Sequence, residues 1–143
     1  FDVTSITLNN IAKTANYTQI PSEGAKWSVT ENWGSATDAT PAGFALTLTG
    51  DAGKETSTPV TVIPESLTGK TFTVKYTIRG TGVAKEDVVK TLPLAYAVVN
   101  AEVTEWVANK SITYTLTVGL KEITFAPVVE DWVPVNADSI DIN

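Results

Sequence analysis

Four acidic pairs are the groups in this sequence that could do acid–base chemistry: Glu86-Asp87, Glu102 with Glu105, Glu130-Asp131, and Asp138 with Asp141. A glycosidase needs two carboxylates about 5 to 10 Å apart across a cleft, one of them protonated. Adjacent residues of an extended strand point to opposite faces, so neighbouring acids do not converge in that way, and Glu86-Asp87 is expected in a turn. Asp138 and Asp141 could touch a calcium ion, but no looped Asp-x-Asp-x-Asp ligand array accompanies them. Serine and threonine are plentiful, yet the chain has no histidine and no cysteine. There is thus no imidazole to activate a hydroxyl, no thiolate, no disulfide and no Cys/His zinc centre. The expectation is no catalytic residue, no metal ligand set and no cofactor.

The aromatic residues offer a second kind of chemistry, stacking against sugar rings. Of the four tryptophans, Trp106 and Trp132 flank strand-like runs and are expected to plug the ends of a sandwich, where large aromatic area contributes most. Trp27 and Trp33 fall in the least periodic part of the chain, and they are the candidate ligand-stacking residues. Asn16-Tyr17-Thr18 and Asn109-Lys110-Ser111 match the N-glycosylation acceptor, a short pattern that arises by chance.

The elements that must position these groups are strands. From Ser111 to Val118, Ile112, Tyr114, Leu116 and Val118 fall on one face and Ser111, Thr113, Thr115 and Thr117 on the other, the period of a half-buried β-strand. Gly119 and Leu120 interrupt the pattern, and Lys121 to Phe125 resumes it, which predicts an antiparallel hairpin ended by Pro127. Thr71 to Arg79 alternates as cleanly and returns through Val88 to Ala97 in a second hairpin, with Gly80-Thr81-Gly82 between; Pro93 demands an edge, bulge or break. Val3 to Leu8 is a first strand closed by Asn9-Asn10, and Asn109 suits a positive φ at a corner. Ile11 to Ile20 holds a short strand, residues 21 to 43 form an irregular excursion, Phe44 to Thr49 alternates, and Pro59 to Ile63 is briefly extended.

No window of a dozen residues carries helical periodicity with caps, so the fold expected is all-β with about seven to nine strands. Its form is a two-sheet antiparallel β-sandwich. The 143 residues make about one domain, 1–143. A net charge of −6 with a single arginine, Arg79, opposes binding to nucleic acid or anionic lipid. No run approaches the roughly 18 apolar residues of a spanning helix. The chain opens at Phe1 with neither a basic nor an apolar leader, which reads as a piece of a longer precursor.

An ordered set of segments resembles the C-terminal half of the fimbrillin family, the type V pilins and related fimbrial adhesins of Bacteroides-like bacteria. The set is Leu67 to Tyr76, Lys90 to Leu94, Trp106 with Asn109-Lys110, Tyr114 to Val118, and the closing Ile123-Thr124-Phe125-Ala126-Pro127 with Val129-Glu130-Asp131-Trp132. Asn109 stands where many members place glycine.

The resemblance implies a transthyretin-like, Greek-key type of β-sandwich serving as the C-terminal domain of a two-domain, pilin-like lipoprotein precursor exported to the outer membrane. It implies a non-enzymatic cell-surface subunit that joins other pilin subunits, of its own or another kind, by strand exchange and supports adhesion to a host protein or glycan. Any membrane contact then runs through an upstream lipid anchor. Val133, Val135, Ile140 and Ile142 alternate in the tail and are the candidate subunit-contact residues; the tail either pairs with its own sheet or completes a neighbour's. A surface glycan-binding module using Trp27 and Trp33 is the alternative reading.

Overall fold

The alternating runs become antiparallel strands, distributed over two compact units, Phe1–Trp106 and Val107–Asn143. The structure, a computed structural model, describes residues 1–34, 43–51, 53–80, 83–96, 102–119 and 122–131. Trp132 and the tail residues Val133, Val135, Asp138, Asp141, Ile140 and Ile142 lie outside the described residues.

In the first unit the strands are β1 (Asp2–Asn9), β2 (Ala12–Ile20), β3 (Gly24–Asn32), β4 (Phe44–Ala45), β5 (Leu48–Thr49), β6 (Thr56–Ser57), β7 (Glu65–Ser66), β8 (Thr71–Gly80), β9 (Val83–Pro93) and β10 (Glu105–Trp106). The second unit holds β11 (Lys110–Val118) and β12 (Ile123–Asp131). Among the described residues every regular element is a strand and every strand pairing is antiparallel. This is the all-β class the alternation predicts, in keeping with a β-sandwich.

The largest sheet has the order β4-β1-β8-β9. Its register puts Leu8 beside Phe72 and Phe72 beside Leu92, with Ile6 beside Val74. Leu8, Phe72, Val74 and Tyr76 are buried there, joined in the core by Leu67, Leu94, Val103 and Trp106. Fully burying each large apolar side chain stabilises by about 1.5–3 kcal/mol, which is why the period-two pattern fixes the register. The opposite face is polar. Asn9 Nδ2 donates to Thr71 Oγ1 at 3.2 Å and Thr73 Oγ1 at 2.9 Å, and the Thr73 and Thr91 hydroxyls meet at 3.1 Å across the β8–β9 ladder.

Both asparagines expected at corners adopt positive φ, Asn10 at 60° and Asn109 at 61°. Gly43 meets a different demand. A Cβ there would lie 2.5 Å from Thr7 Cγ2 and 2.7 Å from the Leu8 carbonyl, so only glycine lets β4 reach β1 this closely.

The structure departs from the sequence reading at five places. Residues 24–32 form β3 rather than an irregular excursion, because Trp27 and Val29 alternate with Lys26, Ser28 and Thr30 opposite β2. Strand β9 begins at Val83, so Glu86-Asp87 lies in a strand and not a turn. Residues 44–49 divide between β4 and β5, which belong to different sheets. The described residues hold twelve strands rather than about seven to nine, five of them only two residues long.

The fifth departure is Pro127, which lies inside β12 opposite Tyr114 instead of ending the run. The hydrogen-bond phase explains it. Gly119 N donates to Glu122 O at 2.8 Å, making 119 and 122 a hydrogen-bonded pair. Such pairs alternate along an antiparallel ladder. Counting along the register makes Tyr114 and Pro127 a non-bonded pair, so the proline nitrogen faces away from β11 and no ladder bond is lost.

Candidate interaction surfaces

The β2–β3 hairpin is built from its turn outward. Glu23 N donates to Ile20 O at 3.0 Å and Gly24 takes φ 76°, reversing the chain at Pro21-Ser22-Glu23-Gly24. The ladder then runs from Ile20–Gly24 to Ala12–Asn32, with register shifts near Thr14. The two strands form a sheet of their own. Thr14 and Thr30 hydroxyls lie 2.7 Å apart, and Lys13 Nζ pairs with Glu31 Oε1 at 3.0 Å. Both partners of that ion pair are solvated, so it adds little to stability.

Along the strands the side chains stay unusually accessible for their size. Tyr17 and Trp27 face each other in register, with ring centroids 4.9 Å apart and an interplanar angle of 58°. Tyr17 remains 52% exposed, Trp27 41% and Val29 39%. Trp27, a candidate stacking residue, is therefore on a solvated apolar strip. Trp33, the other candidate, sits just beyond β3, where its amide donates to Ile11 O at 2.8 Å. It is half-buried, with Phe44 at 5.5 Å on one side and Lys13 Nζ 5.0 Å from its ring centroid. Six residues of nearly extended chain put the two indoles on the order of 20 Å apart, so they do not clamp one sugar ring.

The base of this hairpin is held by an ion pair that the sequence reading missed. Glu65 Oε1 accepts the Ala12 amide at 2.6 Å, and Glu65 Oε2 meets Lys70 Nζ at 3.1 Å. Lys70 Nζ also donates to the carbonyl of Asn10 at 2.5 Å. The two side chains are only 6% and 12% exposed. Together they lock the β1–β2 corner to the segment leading into β8. No sequence signal reveals this, because each partner is more than fifty residues from the backbone group it holds.

A third carboxylate, Glu55, ties down the start of β1. Burial pushes its carboxyl up, but three opposing hydrogen bonds from the backbone amides of Gly53 (2.9 Å), Glu55 itself and Val3 (3.1 Å), aided by the amino terminus of Phe1, hold it below the usual carboxylate range.

Three of the four acidic pairs of the sequence fall among the described residues, each on its own segment. Glu102 and Glu105 are exposed, and so are Glu130 and Asp131, the latter pairing with Lys110 across β11–β12. Asp87 Oδ1 accepts the Thr77 hydroxyl at 2.8 Å. Among the described residues no three acidic side chains gather as a metal site would require. Trp106, expected to plug an end of the fold, is buried in β10 opposite Glu65.

The family model described as fimbrillin-like matches residues 1–132. The chain belongs to the fimbrillin-like family. That match spans all the described strands, β1 to β12, so family membership and the all-β fold rest on the same stretch of chain. Fimbrillins are subunits of cell-surface appendages, a structural rather than enzymatic family. No curated protein and no solved structure matched the chain.

Proposed function

We propose that this fimbrillin-like chain is a non-enzymatic subunit of a surface fimbria that joins other pilin subunits by exchanging strands and supports adhesion. The fimbrillin-like match over residues 1–132 carries the reading. The strand-built architecture supports it, since antiparallel sheets with open edges accept an added strand through main-chain hydrogen bonds while alternate side chains fill a groove. In this reading 1–143 is one domain, the C-terminal part of a longer two-domain lipoprotein precursor at the outer membrane. Val133, Val135, Ile140 and Ile142 form the subunit-contact tail, and host proteins or glycans are the adhesion partners. Immunogold electron microscopy with an antibody to this chain tests the assignment: label along surface fibres is expected, and label confined to the cell interior would remove it.

The exposed Trp27–Tyr17 pair favours a second reading, a surface glycan-binding module. A tryptophan face that stays accessible can stack on a sugar ring. A glycan array that is blank for the intact chain, or binding that survives Trp27→Ala and Trp33→Ala together, would eliminate this reading.

A further inference from the structure

Strand β9 is the longest of the described strands, and among the described residues it lies at the end of the four-stranded sheet and pairs with β8 alone. Its hydrogen-bond phase follows from one contact. Leu94 N donates to Lys70 O at 3.0 Å, so 94 and 70 are a bonded pair and Pro93–Thr71 is a non-bonded one. The alternation then makes Thr91–Thr73, Val89–Lys75 and Asp87–Thr77 non-bonded as well. Their side chains agree, since non-bonded pairs approach most closely and Thr91–Thr73 and Asp87–Thr77 touch through their side chains at 3.1 Å and 2.8 Å. The amides of Asp87, Val89 and Thr91 therefore point outward from the sheet. Val89 is 56% exposed, and Asp87, Lys90 and Thr91 are exposed too.

An open edge of this length is a template for another strand unless something blocks it. Two of the other edges carry such a block. The opposite edge of the same sheet is β4, only two residues long, and β12 turns a proline nitrogen to its own outer edge. On β9 the proline sits at the very end, at 93, so no proline nitrogen interrupts positions 87 to 91.

We infer that β9 pairs edge to edge with β9 of a second copy of this chain, antiparallel and about a two-fold axis at Val88. That axis sets Asp87 against the partner's Val89, so two outward-facing residues exchange both backbone bonds, once on each side of the axis. It also sets Glu86 against the partner's Lys90, and Lys90 against the partner's Glu86, opposite charges in directly facing positions. A two-fold interface must be self-complementary, and this register is. Moving the axis to Asp87 would face the two aspartates together. The acidic tail at Asp138 and Asp141 suits this edge less well, because it would bring two further carboxylates beside Glu86 and Asp87. The pairing joins the two four-stranded sheets into one continuous sheet. It goes beyond the fimbrial reading and does not need the tail.

Light scattering on the intact chain after size exclusion, over a concentration series, tests the inference. A dimer is expected. Glu86→Lys alone and Lys90→Glu alone each place like charges opposite one another twice and weaken the dimer about tenfold or more. Combining Glu86→Lys with Lys90→Glu restores it. Val89→Pro removes an amide that β8 does not use and yields a monomer, with the circular dichroism spectrum checking that β9 is still formed. A chain that is monomeric throughout the series, or a double charge swap that fails to rescue, overturns the inference. A dimer lost on deleting residues 133–143 also overturns it, by assigning the β9 edge to the tail. Because the deletion leaves a β9–β9 dimer intact while it impairs fibre growth by tail exchange, the two readings fail separately.

Discussion

Replacing Lys70 with methionine isolates the ion pair under the β2–β3 hairpin. Methionine keeps the length and apolar stem of lysine but removes the ammonium group. The Glu65 carboxylate, 6% exposed and 3.1 Å from Lys70 Nζ, is then left without its cation, and the Asn10 carbonyl loses the donor at 2.5 Å. Breaking a buried pair from one side costs about 3–5 kcal/mol. Against a total of about 5–15 kcal/mol for a domain, this is a large share. With a urea slope of about 1–3 kcal/mol per molar, the unfolding midpoint falls by about 2 M. Fluorescence of buried Trp106 reports the transition.

The double variant Glu65→Gln, Lys70→Met carries the sharper expectation. The amide oxygen of glutamine still accepts the Ala12 amide, now without an unpaired charge, so more than half of the lost stability returns. A single Lys70→Met variant within about 0.5 kcal/mol of the parent, the scatter of an ordinary surface substitution, would show that the ion pair does not hold the hairpin base. A double variant no more stable than the single one would do the same.

Two other perturbations follow from local geometry. Gly43→Ala forces a Cβ to within 2.7 Å of the Leu8 carbonyl, which must move, so it lowers stability by about 1–3 kcal/mol in chemical denaturation and loosens β4 from β1. Glu55 has a depressed carboxyl in the folded chain, so the stability it adds is present above the unfolded value of about 4.3 and is lost as pH falls through the lower folded value. Glu55→Gln removes that contribution, and stability measured across the acid range then falls less steeply than in the parent.

What the sequence made legible is the pattern of long strands with one polar and one apolar face. Thr71 to Arg79 and Ser111 to Val118 alternate without a break, and both appear as β8 and β11 with the expected side chains together. Asn10 and Asn109 were readable because few residues other than glycine tolerate positive φ. Strand β3 carried a usable signal too, with Trp27 and Val29 set against Lys26 and Ser28, but Pro21 and Gly24 before it made the stretch read as a loop. Pro127 misled because a proline ends a strand only where its nitrogen faces the ladder, and that phase is set by the turn at Gly119. The Glu65–Lys70 pair had no local signature at all, since the groups it holds come from the β1–β2 corner.

The proposed function requires that this fimbrillin-like chain build a fibre through strand contacts. The most direct measurement is the length of surface fibres, by electron microscopy, on cells producing the chain cut after Trp132. In the proposed assembly, export and surface display stay at normal levels while fibres are absent or much shortened. Fibres of normal length and number would contradict it.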